Sequence, residues 1–212
     1  MARRGDQLRE HILWAAKDAF LESGFERASM DAVAARAETS KRTLYAHFES
    51  KENLFLEVIE LVRRLVLARL GVPADYSPDP ESPDPERALV LFGAKYLEIL
   101  RYEPTVQMCR LILAETARFP QGAARHYDAM FTEAHARLSA YLEAEYGRPK
   151  EAAETAARAL LGQILYPRLL RALFGLEDLD RRIDPDAPIP PADLALVRGA
   201  VAAMVASFES GS

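Results

Sequence analysis

The stretch SKRTLYAHFESKENLF, residues 40–55, decides the interpretation of this chain. Three cationic residues and a histidine lie there among a tyrosine and two phenylalanines. Leu44 and Phe48 are four residues apart, which places them on one face of a short helix, while the basic residues occupy the other faces. The whole chain has a formal net charge of −5. A local basic and aromatic helix in an acidic chain indicates a specific nucleic-acid contact rather than general adhesion to polyanions.

The residues around this stretch predict a tight pair of short helices. Ser29 and Ser40 are both of a type that caps helix N-termini, and they predict helices over about 30–36 and 40–48. Gly24 suits the left-handed position that ends the preceding helix. Two short helices joined by a tight turn and preceded by a packing helix describe a helix-turn-helix, whose second helix enters the major groove of DNA.

The run ILWAAKDAFLESGFERASMDAVAARAETSKRTLYAHFESKENLFLEVI resembles the DNA-binding domain of the tetracycline-repressor-like (TetR/AcrR) regulators. The resemblance covers about residues 8–59 and includes GF after the first helix, SM opening the second, TLYxHF in the third and SKE opening the fourth. It implies an all-α protein of nine or ten helices. It also implies a homodimer, a palindromic operator of double-stranded DNA, and a small-molecule pocket in the C-terminal domain.

Individual residues can be carried over from this resemblance. The positions that match phosphate contacts of the family are Ser29, Tyr45, His47 and Lys51. The positions that match base-reading or helix-anchoring residues are Lys41, Arg42 and Thr43. One departure is that the family usually has glycine in the turn, where this chain has AET. Either Glu38 adopts a left-handed backbone in this turn, at a cost of roughly 1–2 kcal/mol, or the turn differs from that of the family.

The chain divides by sequence into a helix-turn-helix domain, residues 1–52, and a sensing and dimerisation domain, residues 53–212. Nearly every segment repeats its apolar residues at helical spacing, which predicts nine helices and an all-α fold. Residues 71–86 hold five prolines and are expected to form a loop. A long alanine-rich helix is expected over about 150–174, kinked at Pro167, and a last helix over about 192–208.

The C-terminal domain offers candidates for an effector pocket and a dimer interface. An apolar or aromatic effector would suit the pocket candidates, although each could also be ordinary core. The pocket candidates are Phe92, Tyr96, Leu100, Cys109, Ile112, Phe131 and Tyr166. The dimer candidates lie on the last two long helices, and either stripe could instead pack within its own subunit. They are Leu161, Leu165, Leu169, Val197, Val201 and Val205.

Other classes of function find little support in the sequence. Cys109 is the only cysteine, so an intrachain disulfide is impossible, and its apolar neighbours favour a buried residue over a reactive thiol. The four histidines lack metal-ligand spacing, and the acidic loop at Asp178–Asp186 lacks the glycine and closing glutamate of a calcium loop. We expect no cofactor, no metal and no enzyme. A helical scaffold that has lost DNA binding is the remaining alternative.

The location and the mode of action follow as expectations. Charged residues interrupt the apolar residues of the N-terminus, which excludes a signal peptide. Apolar runs fall short of the roughly 20 residues that cross a bilayer, so we expect a cytoplasmic protein without a membrane partner. We expect a ligand-responsive regulator, with repression as the default of the family.

Overall fold

The computed structural model describes residues 4–77, 83–166, 168–182 and 189–210. These residues form ten helices, and none of them forms a β-strand. The seventh helix consists of two α-helical segments, which a π-helical turn at Asp128–Thr132 connects. The helices are α1 (Arg4–Arg27), α2 (Met30–Arg36), α3 (Lys41–Phe48), α4 (Lys51–Leu70), α5 (Pro85–Arg101), α6 (Glu103–Ala114), α7 (Pro120–Tyr127 continuing to Glu133–Tyr146), α8 (Lys150–Leu165), α9 (Arg168–Leu173) and α10 (Pro191–Ser210). The all-α prediction is confirmed.

Gly24 interrupts the regular backbone of α1. Its φ of 77° is accessible to glycine without a steric cost, and its ψ of 167° is extended rather than left-handed helical. The regular α-helical backbone therefore ends at Gly24, as predicted. One further helical turn continues to Arg27. This break brings Phe25 into a core position, where 1% of the residue is exposed.

The first of two compact units, called here the N-terminal unit, contains the chain up to Leu65 together with Gln107–Tyr127. Its core includes a cluster of four phenylalanine rings whose neighbouring centroids lie 4.9–5.9 Å apart. The four are Phe20, Phe25, Phe55 and Phe119. Residues 107–127 thus pack with the helix-turn-helix, whereas the sequence-based division cuts the chain at residue 52.

The second unit, called the C-terminal unit, contains Val66–Val106 and the chain from Asp128 onward. The hydroxyl of Tyr96 donates a 2.8 Å hydrogen bond to the carbonyl of Met130 and so joins α5 to the π-helical turn. Buried Asp193, in the first turn of α10, accepts hydrogen bonds from Arg101 and Arg168. These hydrogen bonds join α5, α9 and α10 at one buried carboxylate. The two arginines compensate the negative charge of that carboxylate.

The predicted helix over about 150–174 is wrong in its length. Helix α8 ends at Leu165, and α9 begins at Arg168. The intervening Tyr166 has an extended backbone, φ −90° and ψ 134°, as expected for a residue that precedes proline. Pro167, where a kink is predicted, itself lies outside the described residues.

Helix α10 is long and apolar enough to cross a membrane by length and composition. Its window Pro191–Phe208 has a mean hydropathy of 1.4. This finding corrects the expectation that apolar runs fall short of that length. Val197 and Val201 of the same helix are fully buried in the protein core. A single helix of this kind is weak evidence for a membrane span, because a core helix meets the same criterion.

Candidate nucleic-acid interface

Two serine caps position the helix-turn-helix. The Ser29 hydroxyl accepts a 3.1 Å hydrogen bond from the backbone N–H of Ala32 at the start of α2. The Ser40 hydroxyl accepts a 3.0 Å hydrogen bond from the backbone N–H of Thr43 at the start of α3. Each cap satisfies one of the donors that a helix N-terminus leaves free. Ser29 and Ser40 are exposed, so both helix starts face solvent.

The turn between α2 and α3 places Glu38 at a positive φ of 47°. The backbone N–H groups of Glu38 and Thr39 donate back to the carbonyls of Ala35 and Ala34, at 3.2 and 3.0 Å. These bonds close the turn without glycine. Glu38 thus adopts the left-handed backbone, one of the two alternatives that the sequence left open, and its exposed carboxylate lies in the turn that precedes α3.

Helix α3 separates its buried and exposed residues as its periodicity predicts. Leu44 and Phe48 are 0% and 3% exposed, so they anchor the helix to the core. Arg42 and Tyr45 are exposed, and Thr43 is half-buried. Arginine donates to base edges and phosphates, and a tyrosine hydroxyl reaches phosphates. The exposed side of α3 therefore offers suitable donors to a nucleic acid.

Lys41 is exposed but has an intramolecular partner. Its ammonium lies 3.0 Å from the carboxylate of Asp31 in the first turn of α2. The hydrogen bond to Asp31 raises the pKa of Lys41, so this lysine remains cationic. A phosphate would have to compete with Asp31 for it.

His47 is half-buried and lines a groove of about 360 Å³. Three glutamates, Glu49, Glu57 and Glu60, line the same groove. The predicted phosphate contact of His47 thus lies beside carboxylates, whose negative charge opposes a phosphate.

Glu49 is one of the two residues between α3 and α4, and the sequence did not reveal its backbone conformation. Glu49 has φ 63° and ψ −45°, and the N–H of Ser50 lies 2.6 Å from the carbonyl oxygen of Phe48. This is the geometry of a γ-turn, which is rare for a residue with a side chain. Ser50 then accepts a 3.0 Å hydrogen bond from the N–H of Asn53 and caps α4.

The N-terminus of α4 carries Lys51 at its first residue. The Lys51 ammonium donates a 3.0 Å hydrogen bond to the carbonyl of Glu26 and lies 4.5 Å from the centroid of the Phe25 ring. Free N–H groups and the helix dipole make such an N-terminus favourable for an anion. Lys51 is half-buried, so its position is determined by the fold.

Arg118 is a second cation beside the N-terminus of α4, and the sequence analysis did not identify it. Its guanidinium pairs with the carboxylate of Glu26 and lies 3.1 Å from that of Glu52. It also lies 4.5 Å from the centroid of the Phe25 ring. The local signal for it was the basic and aromatic pair Arg118–Phe119.

Cys109 and His126 form a buried pair in the N-terminal unit. The thiol sulfur lies 3.3 Å from Nε2 of His126. Burial raises the pKa of the Cys109 thiol to about 12 and lowers the pKa of His126 to about 4. Both groups are therefore neutral near pH 7, which favours the inert, buried interpretation of the cysteine. The described residues contain no group of three or more His, Cys, Asp or Glu side chains that could hold a metal ion.

The predicted pocket residues do not gather around one cavity. Cys109 and Ile112 belong to the N-terminal unit, and the other five belong to the C-terminal unit. Tyr166 is 68% exposed, so its assignment to an interior pocket is incorrect. Phe131 is half-buried. The predicted residues buried in the C-terminal unit are Phe92, Tyr96 and Leu100.

The predicted dimer residues are mostly buried within the chain itself. Only Leu165 and Val205 of the six are half-buried. The other four follow the alternative that the sequence left open, in which the stripes pack within their own subunit. These inward-facing residues are Leu161, Leu169, Val197 and Val201.

Two families match this chain. "Bacterial regulatory proteins, tetR family" matches residues 12–58. "AefR-like transcriptional repressor, C-terminal domain" matches residues 87–207, which is more than half of the chain. The first match contains α2, α3 and most of α1, and the second contains most of the C-terminal unit.

Curated relatives match over about a quarter to a third of the chain. The transcriptional regulator QacR of Staphylococcus aureus is 39% identical over 54 residues, 26% of this chain and 29% of QacR. The transcriptional activator FasR of Mycolicibacterium smegmatis is 43% identical over 63 residues, 27% of this chain and 29% of FasR. The regulator UidR of Escherichia coli K12 is 39% identical over 75 residues, 35% of this chain and 38% of UidR. The chain thus spans less than two-fifths of the length of these relatives.

Solved structures match over nearly the whole chain. A TetR-family transcriptional regulator from Mesorhizobium loti has a TM-score of 0.81 and 26% identity, with 97% of this chain and 98% of that chain covered. The flavonoid-responsive regulator FrrA has a TM-score of 0.67 and 27% identity, with 97% and 96% covered. These similar proteins are regulators of transcription rather than enzymes.

Proposed function

Because this chain belongs to the TetR family of transcriptional regulators, we propose that it represses transcription by binding a palindromic DNA operator as a homodimer. A small molecule then releases it from the operator. The exposed side of α3 carries this proposal, since Arg42 and Tyr45 are exposed on a helix that Leu44 and Phe48 anchor to the core.

The residues of the interface have separate roles in this proposal. Arg42 and Thr43 read base edges in the major groove, and Lys41 joins them when it leaves Asp31. Phosphate contacts fix the register of the protein on DNA but carry no sequence information. The phosphate-binding residues proposed are Ser29, Tyr45, His47 and Lys51.

An outer face of the last two long helices supports a homodimer. An open groove of about 640 Å³ lies between α8 and α10, and small residues such as Ala156, Ala159 and Ala203 line it. Small side chains allow helices of two subunits to approach closely. The C-terminal unit also exposes Leu170 and Phe174, which are 47% and 79% exposed. Large exposed apolar side chains of this kind mark protein–protein contacts.

The proposed effector is an apolar or aromatic small molecule. Phe92 and Tyr96 provide buried aromatic rings in the C-terminal unit, and pockets for small molecules are lined mainly by such side chains. FrrA, which is similar over nearly the whole chain, is named as flavonoid-responsive, and flavonoids are aromatic. Effector binding would shift the dimer to a state in which the α3 helices of the two subunits no longer lie about 34–36 Å apart, one helical turn of DNA.

Repression is favoured by the C-terminal match, which is to a transcriptional repressor. Activation is the second candidate, since FasR is named as an activator and is 43% identical over 63 residues. We place the protein in the cytoplasm, where its DNA partner lies, with no membrane partner.

Selection of bound sequences from a random pool of duplex DNA tests this proposal. We expect an enriched palindrome whose half-sites lie about one helical turn, or a multiple of it, apart. An enriched single half-site would refute the symmetric dimer on DNA. A pool without enrichment would refute operator recognition. Transcription in vitro from a promoter that overlaps the enriched site then separates repression from activation.

A further inference from the structure

Arg118 lies far from the helix-turn-helix in sequence but contacts the N-terminus of α4. Its guanidinium pairs with both Glu26 and Glu52. Glu26 is the residue whose carbonyl binds the Lys51 ammonium, and Glu52 follows Lys51 in the chain. Two carboxylates thus flank the lysine proposed to bind a phosphate.

These two carboxylates oppose an approaching phosphate. The side chains of Glu26 and Glu52 are 73% and 46% exposed, so both are open to solvent. Like charges repel, and charges within about 10 Å of each other still interact at ordinary ionic strength. Without compensation, the site would hold one lysine and two glutamates, a net charge that is unfavourable for DNA.

We propose that Arg118 is a positioning residue of the DNA interface, which neutralises Glu26 and Glu52 and thereby lets Lys51 and the α4 N-terminus accept a phosphate. This inference rests on the proposed operator binding. Arg118 acts through these carboxylates rather than through its own contact with DNA, because each of its two terminal nitrogens donates a hydrogen bond to one of them.

The Phe25 ring gives Arg118 a second way to act. The Lys51 ammonium and the Arg118 guanidinium each lie 4.5 Å from the centroid of this ring. A cation near an aromatic face is attracted by the ring, and a guanidinium also stacks on it. Phe25 is buried, so its ring is a fixed platform that places both cations at the same site.

A purely structural role for Arg118 does not account for this arrangement. Its side chain is 43% exposed, and exposed ion pairs contribute little to folding stability. Its effect on DNA binding should therefore exceed its effect on stability, which allows the two to be separated by experiment.

The test compares Arg118→Gln in two backgrounds, using the full chain and its selected operator. In the natural sequence we expect Arg118→Gln to weaken operator binding about tenfold at physiological salt, because two phosphate-repelling carboxylates are released. In the Glu26→Gln, Glu52→Gln background we expect no further loss from Arg118→Gln. Arg118→Lys should retain most of the affinity.

Arg158→Gln is the matched control, since Arg158 forms an exposed pair with Glu154 in the C-terminal unit. It should leave DNA binding unchanged. Thermal unfolding of every variant verifies that the fold is retained.

Two results would overturn the inference. Unchanged affinity of Arg118→Gln would show that neutralisation is unnecessary. A loss that persists in the double-glutamine background would show that Arg118 contacts a phosphate directly, if the salt slope is also lowered by about 1. The salt slope is the slope of the logarithm of the binding constant against the logarithm of the salt concentration. Failure of the natural protein to bind any operator would instead refute the proposed function, so the two failures are distinguishable.

Discussion

The ammonium nitrogen of Lys51 lies 3.0 Å from the backbone carbonyl oxygen of Glu26. This hydrogen bond ties the first residue of α4 to the last turn of α1, just after the break at Gly24. An ammonium has three donor hydrogens, so the bond leaves donors for a phosphate oxygen. Lys51 therefore stabilises the fold of the N-terminal unit and, in our proposal, also binds a phosphate of the DNA.

Replacing Lys51 with alanine should weaken binding to all DNA sequences. The loss of one phosphate contact should lower the salt slope of binding by about 1, and the loss of the bond to Glu26 should lower the melting temperature. Fluorescence anisotropy with operator and scrambled duplexes, over a series of salt concentrations, measures the first effect. Lys51→Arg is the control that keeps the charge. An alanine variant with unchanged affinity and slope would contradict the assignment.

Replacing Arg42 with alanine should reduce the sequence specificity of DNA binding. A bidentate arginine contact with a base is worth about 1–3 kcal/mol of discrimination, so the operator affinity should fall while the affinity for scrambled DNA changes little. Selection with the variant should show relaxed choice at one position in each half-site. An equal loss on operator and scrambled DNA would instead indicate that Arg42 binds only phosphates.

Replacing Glu38 with glycine should stabilise the protein. Glu38 has a φ of 47°, a conformation that is strained for a residue with a side chain, and its relief is worth about 1 kcal/mol. Urea unfolding compares the natural protein with Glu38→Gly and with Glu38→Gln. The glutamine variant removes only the charge and should leave stability unchanged. A glycine variant that is less stable than the natural protein would show that the strain is absent.

His126 should make the protein sensitive to acid. An unfolded histidine has a pKa near 6.5, whereas burial lowers the pKa of His126 to about 4 in the folded protein. The unfolded state thus binds a proton first as the pH falls. The contribution of His126 to the free energy of unfolding is fully present above about pH 6.5. It is lost as the pH falls toward 4, by up to about 3 kcal/mol.

The variant His126→Gln isolates this contribution. Its neutral side chain cannot take up a proton, so the difference in unfolding free energy between it and the natural protein should shrink as the pH falls from 7 to 4. Denaturant unfolding at a series of pH values measures that difference. A difference that stays constant over this range would mean that His126 titrates alike in both states.

Replacing Ala203 with glutamate should disrupt the dimer. Ala203 is exposed and lines the groove between α8 and α10, and an unpaired charge buried in an interface costs about 3 kcal/mol or more. Light scattering after gel filtration should find monomers at concentrations where the natural protein is dimeric. Ala140→Glu, at an exposed position of α7, is the control. A dimeric Ala203 variant would place the interface elsewhere.

Local features of the sequence were enough to predict the helix-turn-helix. The caps at Ser29 and Ser40 and the i, i+4 pair of Leu44 and Phe48 depend only on neighbouring residues. The missing glycine marked Glu38 as an unusual turn residue but left two alternatives, a left-handed backbone or a different turn. The γ-turn at Glu49 could not be predicted in this way, because a glutamate carries no preference for that conformation.

Tertiary contacts determined the features that the sequence could not predict. The stripes of Leu161 and Val201 suit either an interface or a core, since periodicity defines a face but not what covers it. Arg118 could be linked to Glu26 only after folding, because 92 residues separate them. The exposed position of Tyr166 depends on the end of α8 at Leu165.

The most direct test of the account is the binding of the natural protein to DNA from beside its own gene, measured over 50–200 mM salt. A specific regulator should bind one duplex about a thousandfold or more tightly than a scrambled one, and the affinity should fall steeply as the salt concentration rises. That result would support the exposed side of α3 as a reader of an operator near the gene. Weak binding that is indifferent to sequence, both for this DNA and for a random pool, would contradict it.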